Sequence, residues 1–232
     1  MYRLRPRFAV YPRLDRRWLL DNRNWVDQQL IIRRPYEVEQ LARCRDLLQQ
    51  HAITHFFDIG ANFGLYSVLL SDSSSLTCIE AFEPLPRNVH QLGANLYLNG
   101  LDQKVQIHQL ALSDREAIME LHVDAGSTGV STLRPEGMAR DTSVYKSSVQ
   151  VQTRTLDSMT DLRDTAIFMK VDVEGAELQV LAGMRGVLES NRVTMQIETT
   201  PETHGPVADF MRELGYRFLG EIGSDSYYGR TE

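Results

Sequence analysis

Lys170, Asp172 and Glu174 alternate in the run KVDVE, the spacing that puts side chains on one face of an extended chain. If the strand runs on through Glu174, two carboxylates and an ammonium share one side. Such a set can take the proton from an attacking hydroxyl, a role that contributes roughly a hundred- to ten-thousand-fold in rate. Asp172, Glu174 and the downstream His204 are the base candidates. The same two carboxylates, with Glu198 at the end of the next apolar run, could instead hold a magnesium ion that acidifies the hydroxyl. A purely structural role competes with both readings, because Asp172 and Glu174 precede a helix that opens after Gly175 and can satisfy its first amides. His204, alone in a loop, reads as a solvated side chain as readily as a base.

A second constellation lies upstream, in FFDIGANFGLYS from Phe56 to Ser67. An apolar strand stops at Asp58, Gly60 and Gly64 make a turn, and a helix opens at Leu65. Open α/β sheets bind nucleotide-like ligands at such junctions. The G-x-x-x-G spacing lacks the middle glycine that lets backbone approach a pyrophosphate; Asn62 and Phe63 stand there instead. The loop therefore suits a nucleoside without phosphates and with a charged amino-acid tail, a description that S-adenosylmethionine meets. The next apolar run, LTCIEAF, ends at Glu83 and Pro84. An acid at that tip, about twenty residues past the glycine loop, is placed to accept both hydroxyls of a ribose diol. Glu80 competes for the role but sits inside the strand. With a sulfonium donor, the protein has to hold nucleophile, methyl and sulfur in line.

These residues need strands to carry them and helices to space them. Tyr36 to Gln50 has helical spacing. Strands are expected over Thr54–Ile59, Leu76–Phe82, Lys104–Leu110, Ile167–Val173, Val193–Ile197 and Tyr216–Ile222, with a short last strand near Tyr227. Helices are expected over Leu65–Leu70, Leu85–Asn99, Ala176–Leu188 and Val207–Leu214. This alternation predicts an α/β fold: a mostly parallel seven-stranded sheet with helices on both faces. Ile118–Val123 and Val149–Thr155 break the rhythm and read as an inserted β-hairpin. The polar residues 124–148 between them are a candidate lid.

Composition bounds the rest. The 232 residues carry 42% hydrophobic side chains, enough for one domain with a full core, and a formal net charge of -6 that argues against a nucleic-acid partner. No run is apolar and long enough to span a bilayer, and no signal peptide is recognisable. The 2 cysteines, Cys44 and Cys78, form no C-x-x-C pair and suggest a reducing, cytoplasmic setting. Residues 1–35 differ from the remainder, 36–232. Arg3, Arg5, Arg7, Arg13, Arg16 and Arg17 mix with Tyr2, Phe8, Tyr11 and Trp18, and read as an arginine-rich arm. Such an arm could touch anionic lipid headgroups at the inner face of a membrane. Against that, lysine occurs only at Lys104, Lys146 and Lys170, so arginine is this chain's usual cation.

The pieces FDIGANFGLYS, AFEPLPRNVHQLGANLYLNG, ALSDREAIMEL, VQVQTRTLDSM and KVDVEGAELQVLAGM, in that order, resemble the FkbM family of S-adenosylmethionine-dependent methyltransferases. The resemblance runs from about Phe56 to Glu198. It implies the class I Rossmann-like methyltransferase fold and O-methylation, commonly of sugar or polyketide hydroxyls. It also implies that the Asp58–Gly64 loop holds the methionine part of the cofactor, that Glu83 holds the ribose and that Ala111 and Leu112 flank the adenine. Gly60, Asn62, Tyr66, Ser67, Pro84 and Asn88 complete the expected contact set.

Two absences favour oxygen as the acceptor. An Asn/Asp-Pro-Pro-Tyr/Phe tetrapeptide, typical of amine methylation, would follow the fourth strand, where this chain has VEGA. Neither cysteine has the setting of a nucleophile for carbon methylation. The expected activity is methylation of a hydroxyl on a sugar of a polysaccharide, glycolipid or glycosylated metabolite. A nicotinamide-dependent oxidoreductase and a non-catalytic cofactor-binding partner domain are the rivals.

Overall fold

A computed structural model of the chain describes residues 6–124, 126–134 and 145–230. Strands β1 (Phe8–Arg13) and β2 (Arg16–Asp21) form a hairpin, followed by α1 (Trp25–Ile31) and α2 (Val38–Gln50). Then come β3 (His55–Ile59), α3 (Leu65–Leu70), β4 (Cys78–Phe82), α4 (Pro86–Leu98) and β5 (Val105–His108). The insertion comprises β6 (Ala111–Leu112), β7 (Ala117–Asp124) and β8 (Tyr145–Arg154). The chain returns through β9 (Ala166–Val171), α5 (Glu177–Ala182), α6 (Arg185–Ser190), β10 (Arg192–Glu198), α7 (Pro201–Glu213), β11 (Tyr216–Ile222) and β12 (Asp225–Arg230).

The seven-stranded sheet runs β11-β12-β10-β9-β3-β4-β5, and β12 is antiparallel to both its neighbours. Period-two alternation divides the core between its faces. Phe56 and Phe168 join Trp18, Leu41, Phe63 and Val68 on one side; Phe57, Met169 and Met195 join Phe82, Val180 and Val207 on the other. β6, β7 and β8 make a separate three-stranded sheet, with a small apolar cluster of Leu85, Leu121, Val123 and Val151 beneath it.

Four local differences from the sequence expectation matter for the site. Within the arginine-rich arm expected over 1–35, residues 6–31 form a hairpin and helix packed on the core: Trp18 and Leu20 are fully buried, and the Trp18 ring meets Phe63 edge-on at 5.7 Å. The fourth central strand, β9, ends at Val171, and Glu174 takes a left-handed conformation with φ of 52°. The alternating face therefore holds for Lys170 and Asp172 but not for Glu174. The helix expected over Ala176–Leu188 is split at Gly183, a position pressed so close to the Ser113 carbonyl oxygen that an added Cβ would lie 1.9 Å from it. Finally, α7 begins at Pro201, closed by a capping box between Thr200 and Thr203, so His204 lies in a helix's first turn rather than in a loop.

Candidate active site

From β3 the chain crosses to β4 on one side, and from β9 to β10 on the other. A crevice opens at the carboxyl ends of strands where such connections diverge. Here the two loops are pressed together. The Asp172 amide donates to the Ile59 carbonyl at 3.0 Å, and the amides of Gly60 and Ala61 both donate to the Phe82 carbonyl, at 2.9 and 3.0 Å. Gly60 has φ of 84°, and a Cβ on it would sit 1.8 Å from the Asp172 carbonyl oxygen. The first loop glycine is thus required by close backbone approach as well as by its dihedral. Gly64 also has positive φ, and a Cβ there would meet side chains only, those of Leu92 and Val68.

Two cavities meet at this junction, and Gly60, Asn62 and Asp172 line both. The first is walled by Phe82, Leu110, Ala111, Leu112, Leu121 and Leu133, with Glu83 and Pro84 on one side and Glu174 on another. Glu83 is buried, yet both its oxygens are used. Oε2 accepts the Asn62 amide at 2.8 Å and Oε1 the Leu85 amide at 2.8 Å, and the Asn88 side chain adds a further hydrogen bond. Burial pushes its carboxyl up to about 7 against these donors. A carboxylate has about four lone-pair sites, so with three donors in place Glu83 keeps room for one hydroxyl donor. Asn88 supports Glu83 and does not line the cavity. Glu80, the competing acid, is engaged elsewhere: its Oε2 lies 2.8 Å from His108 Nε2.

The second cavity is ringed by acids. Glu37, Asp58, Asp172 and Glu198 line it with Lys170, Tyr36 and Tyr66. Lys170 is buried; its Nζ donates to Asp172 Oδ2 at 2.8 Å and lies 4.8 Å from the centre of the Tyr66 ring. Burial favours its neutral amine, but Asp172, Glu198, Asp58 and Asp225 outweigh that and hold it as an ammonium. Tyr66 is fixed at its hydroxyl, which donates to Glu37 Oε2 at 2.7 Å and accepts from Gln196 at 3.0 Å. Asp58 does not reach across the cavity. Its Oδ2 accepts both the amide and the hydroxyl of Ser67, at 3.0 and 2.6 Å, anchoring the first turn of α3. Burial raises its pKa, opposed by Lys170 and the Ser67 hydrogen bonds.

Glu198 is pushed up to about 9, first by the charge of Asp172 and then by burial. The folded chain therefore keeps a proton there that the unfolded chain releases above its ordinary value of 4.5. With fewer protons bound in the unfolded state, stability falls as pH rises through that window. Glu198→Gln removes the dependence. Its melting temperature is expected to exceed the unmodified protein's by a few degrees near pH 8, the gap closing toward about pH 4. Thermal melts of the two proteins across pH check this; a constant gap, or a less stable variant at pH 8, contradicts it.

The described part of the insertion, 126–134, covers the first cavity through Thr128, Gly129, Ser131 and Leu133. It is fastened from three directions. Thr128 Oγ1 accepts from Asn24 at 2.6 Å and from Arg87 at 2.7 Å, the Trp25 amide donates to the Gly126 carbonyl at 3.1 Å, and Thr132 Oγ1 donates to the Glu174 carbonyl at 2.6 Å. The cavity under this cover has about 60 Å³ of free space. The rest of the expected lid, 135–144, lies outside the described residues.

Residues 58–218 match the family described as the Methyltransferase FkbM domain. The chain belongs to the FkbM methyltransferase family. Among relatives, Methyltransferase 1 of Beauveria bassiana (strain ARSEF 2860) is 26% identical over 157 residues, covering 61% of this chain and 63% of its own length. Methyltransferase sdnD of Sordaria araneosa is 29% identical over 166 residues, covering 61% and 64%. The chain thus spans less than two thirds of the length of either relative. In fold, it resembles the crystal structure of Methyltransferase FkbM from Methylobacillus flagellatus KT, with a TM-score of 0.54 and 14% identity over 77% of this chain and 44% of that one. It also resembles the ribosomal protein L11 methylase of Lactobacillus delbrueckii subsp. bulgaricus, with a TM-score of 0.51 and 11% identity over 85% and 80%. The fold is the class I Rossmann-like methyltransferase fold.

On this FkbM framework the expected residues sort by position. Gly60, Asn62, Glu83, Pro84, Ala111 and Leu112 line the first cavity; Asp58 and Tyr66 line the second; Gly64, Ser67 and Asn88 shape or brace them from behind. Of the base candidates, Asp172 borders both cavities and Glu174 the first only. His204 lines neither; it is exposed, with Nδ1 at 3.3 Å from Thr199 Oγ1. The magnesium reading of Asp172, Glu174 and Glu198 does not fit. Among the described residues no three His, Cys, Asp or Glu side chains are grouped to hold a metal ion, and Lys170 already supplies a cation to Asp172. Tyr36 and Glu37 were not foreseen at the site. They sit at the left-handed turn before α2, with φ of 56° at Glu37; the helical spacing is expected from Tyr36, whereas the helix itself begins at Val38.

Proposed function

We propose that this chain binds S-adenosylmethionine across the two cavities and transfers its methyl group to a hydroxyl of a saccharide, in a polysaccharide, glycolipid or glycosylated metabolite. The observation that carries this reading is the junction at Gly60, Asn62 and Asp172, where an apolar-walled cleft bearing one buried acid opens into an acid-ringed chamber. Membership of the FkbM family supports the reaction class. The cleft fits a flat base between Leu112 and the Phe82 side and a ribose hydroxyl on Glu83. The acid-ringed chamber suits a cationic sulfonium and ammonium. Bound there, the cofactor supplies an electrophilic methyl group.

The chain's own groups do the rest. Asp172 accepts the proton of the attacking hydroxyl, and Lys170 holds the Asp172 carboxylate in place at 2.8 Å. Glu198, protonated at neutral pH, is a hydrogen-bond donor on the far side of the same chamber. The 126–134 cover excludes water, and the small free volume beneath it means that the cover must open to admit the cofactor. Assembly of surface saccharides at the inner face of a membrane is the cellular setting that goes with this reading. Among the described residues, no helix is long and apolar enough to cross a membrane.

Incubation with methyl-labelled S-adenosylmethionine and fractionated cell saccharides tests the acceptor class. Label recovered as an alkali-stable sugar ether is the expected result. Label confined to protein or amine fractions contradicts it.

A further inference from the structure

Beside the site lies a groove of about 710 Å³ whose cations are Arg13, Arg16, Arg17, Arg33 and Arg34, with Asp15 its single acid. Tyr36 lines both this groove and the acid-ringed chamber, so the two lie on either side of one side chain. The groove is built, not incidental. Helix α1 ends in a Schellman turn, the Arg33 amide donating to the Leu30 carbonyl at 3.2 Å and the Arg34 amide to the Gln29 carbonyl at 2.9 Å. Arg33 occupies the left-handed position of that turn, with φ of 59°. Glycine is the residue that fits there without cost, and here an arginine stands in its place.

Compensation of the helix dipole does not account for these cations. Arg13 already does that work, donating from Nε to the Leu30 carbonyl at 2.8 Å and from Nη2 to the Ile31 carbonyl at 2.9 Å. Arg16 is paired with Asp72. Among the described residues, no carboxylate pairs with Arg17, Arg33 or Arg34. Three like charges gathered without a counter-ion repel one another, and a bound anion relieves that repulsion. The chamber next door has the opposite character: beside the protonated Glu198 it sets Glu37, Asp58 and Asp172 against one lysine, and disfavours an anion.

We propose that the acceptor saccharide carries a phosphoryl or diphosphoryl group, and that Arg17, Arg33 and Arg34 hold it while Tyr36 guides the sugar toward Asp172. This rests on the methyl-transfer reading above and names the substrate class within it. The opposed fields orient the acceptor: the phosphoryl end is drawn to the groove, and only the neutral, hydroxyl-bearing end is tolerated in the chamber. A nucleotide-linked sugar and a lipid-linked one share this chemistry.

The test is calorimetric titration of inorganic pyrophosphate, and separately of S-adenosylmethionine, into the unmodified protein and an Arg33→Gln/Arg34→Gln double variant at low salt. Both side chains are exposed, so the variant should keep its fold. Pyrophosphate is expected to bind the unmodified protein saturably and the variant at least about tenfold more weakly, while the affinity for S-adenosylmethionine is the same in both. Vesicles of phosphatidylcholine with and without phosphatidylglycerol form a third arm. Pyrophosphate that fails to bind, or binds both proteins equally, overturns the groove assignment even where S-adenosylmethionine binds normally. Binding to anionic vesicles without binding to pyrophosphate also overturns it, and makes the arginines a membrane-facing patch. Failure of S-adenosylmethionine to bind the unmodified protein strikes the methyl-transfer reading itself.

Discussion

Gly60→Ala is expected to abolish measurable binding of S-adenosylmethionine and to destabilise the fold by roughly 3 kcal/mol, lowering the melting temperature by about 6–12 °C. Two causes add. Alanine resists φ of 84°, and its Cβ would lie 1.8 Å from the Asp172 carbonyl oxygen, a backbone atom that cannot swing aside. Relief has to come from moving apart the β3–α3 and β9–α5 loops, which carry Asn62 and Asp172. Gly64→Ala is the matched comparison. Its φ is as unfavourable, at 92°, but its new Cβ would meet side chains and no backbone: the tip of Leu92 at 2.4 Å, which has to shift, and Val68 at 3.9 Å. Thermal melts and calorimetry on the pair should therefore rank Gly60→Ala well below Gly64→Ala in both stability and affinity. Equal losses would mean that the loop contact is not what shapes the junction.

Asp172→Asn is expected to lower turnover by roughly a hundred- to ten-thousand-fold with cofactor affinity changed only a few-fold. The amide keeps the shape of the carboxylate but cannot take a proton. The buried Lys170 loses its nearest partner yet keeps Glu198, Asp58 and Asp225 around it, so the fold should persist. A second readout separates this role from a merely structural one. The charge of Asp172 is the largest cause of the raised Glu198 pKa, so Glu198 should titrate lower in the variant, visible by carbon NMR of labelled glutamate. Unchanged turnover removes Asp172 as the base; a Glu198 titration that does not move contradicts the described pairing.

Much of this was readable from residue types and spacing, for a physical reason: strand tips and glycine turns are local features. Asp58, Gly60, Glu83 and Lys170 with Asp172 fell where period-two strands stop, and the sheet sets those tips side by side. Local features hide what another segment does to them. Asp58 lines the second cavity, but its sequence gives no hint that one carboxylate oxygen is engaged by Ser67. Glu174 looked aligned with Asp172, but β9 ends at Val171 and a left-handed φ of 52° at Glu174 takes it out of the alternation. Trp18 gave no sign from its basic neighbours that the hairpin around it packs on Phe63. The groove of arginines is likewise a product of tertiary contact. Arg13 and Arg34 are far apart in the chain and meet because the hairpin docks on the end of α1.

Glu83 is where the account is most exposed. Burial pushes its carboxyl up to about 7, and its ionised form is the better acceptor for a ribose hydroxyl. Calorimetric titration of S-adenosylmethionine and of NADH, from about pH 6 to pH 8, into the unmodified protein and Glu83→Gln shows which cofactor the junction takes. Saturable binding of S-adenosylmethionine alone is predicted, tightening as pH rises through the Glu83 transition, with roughly ten- to hundredfold weaker and pH-flat binding in the variant. Binding of NADH instead, or the same affinity in both proteins across that range, would contradict it.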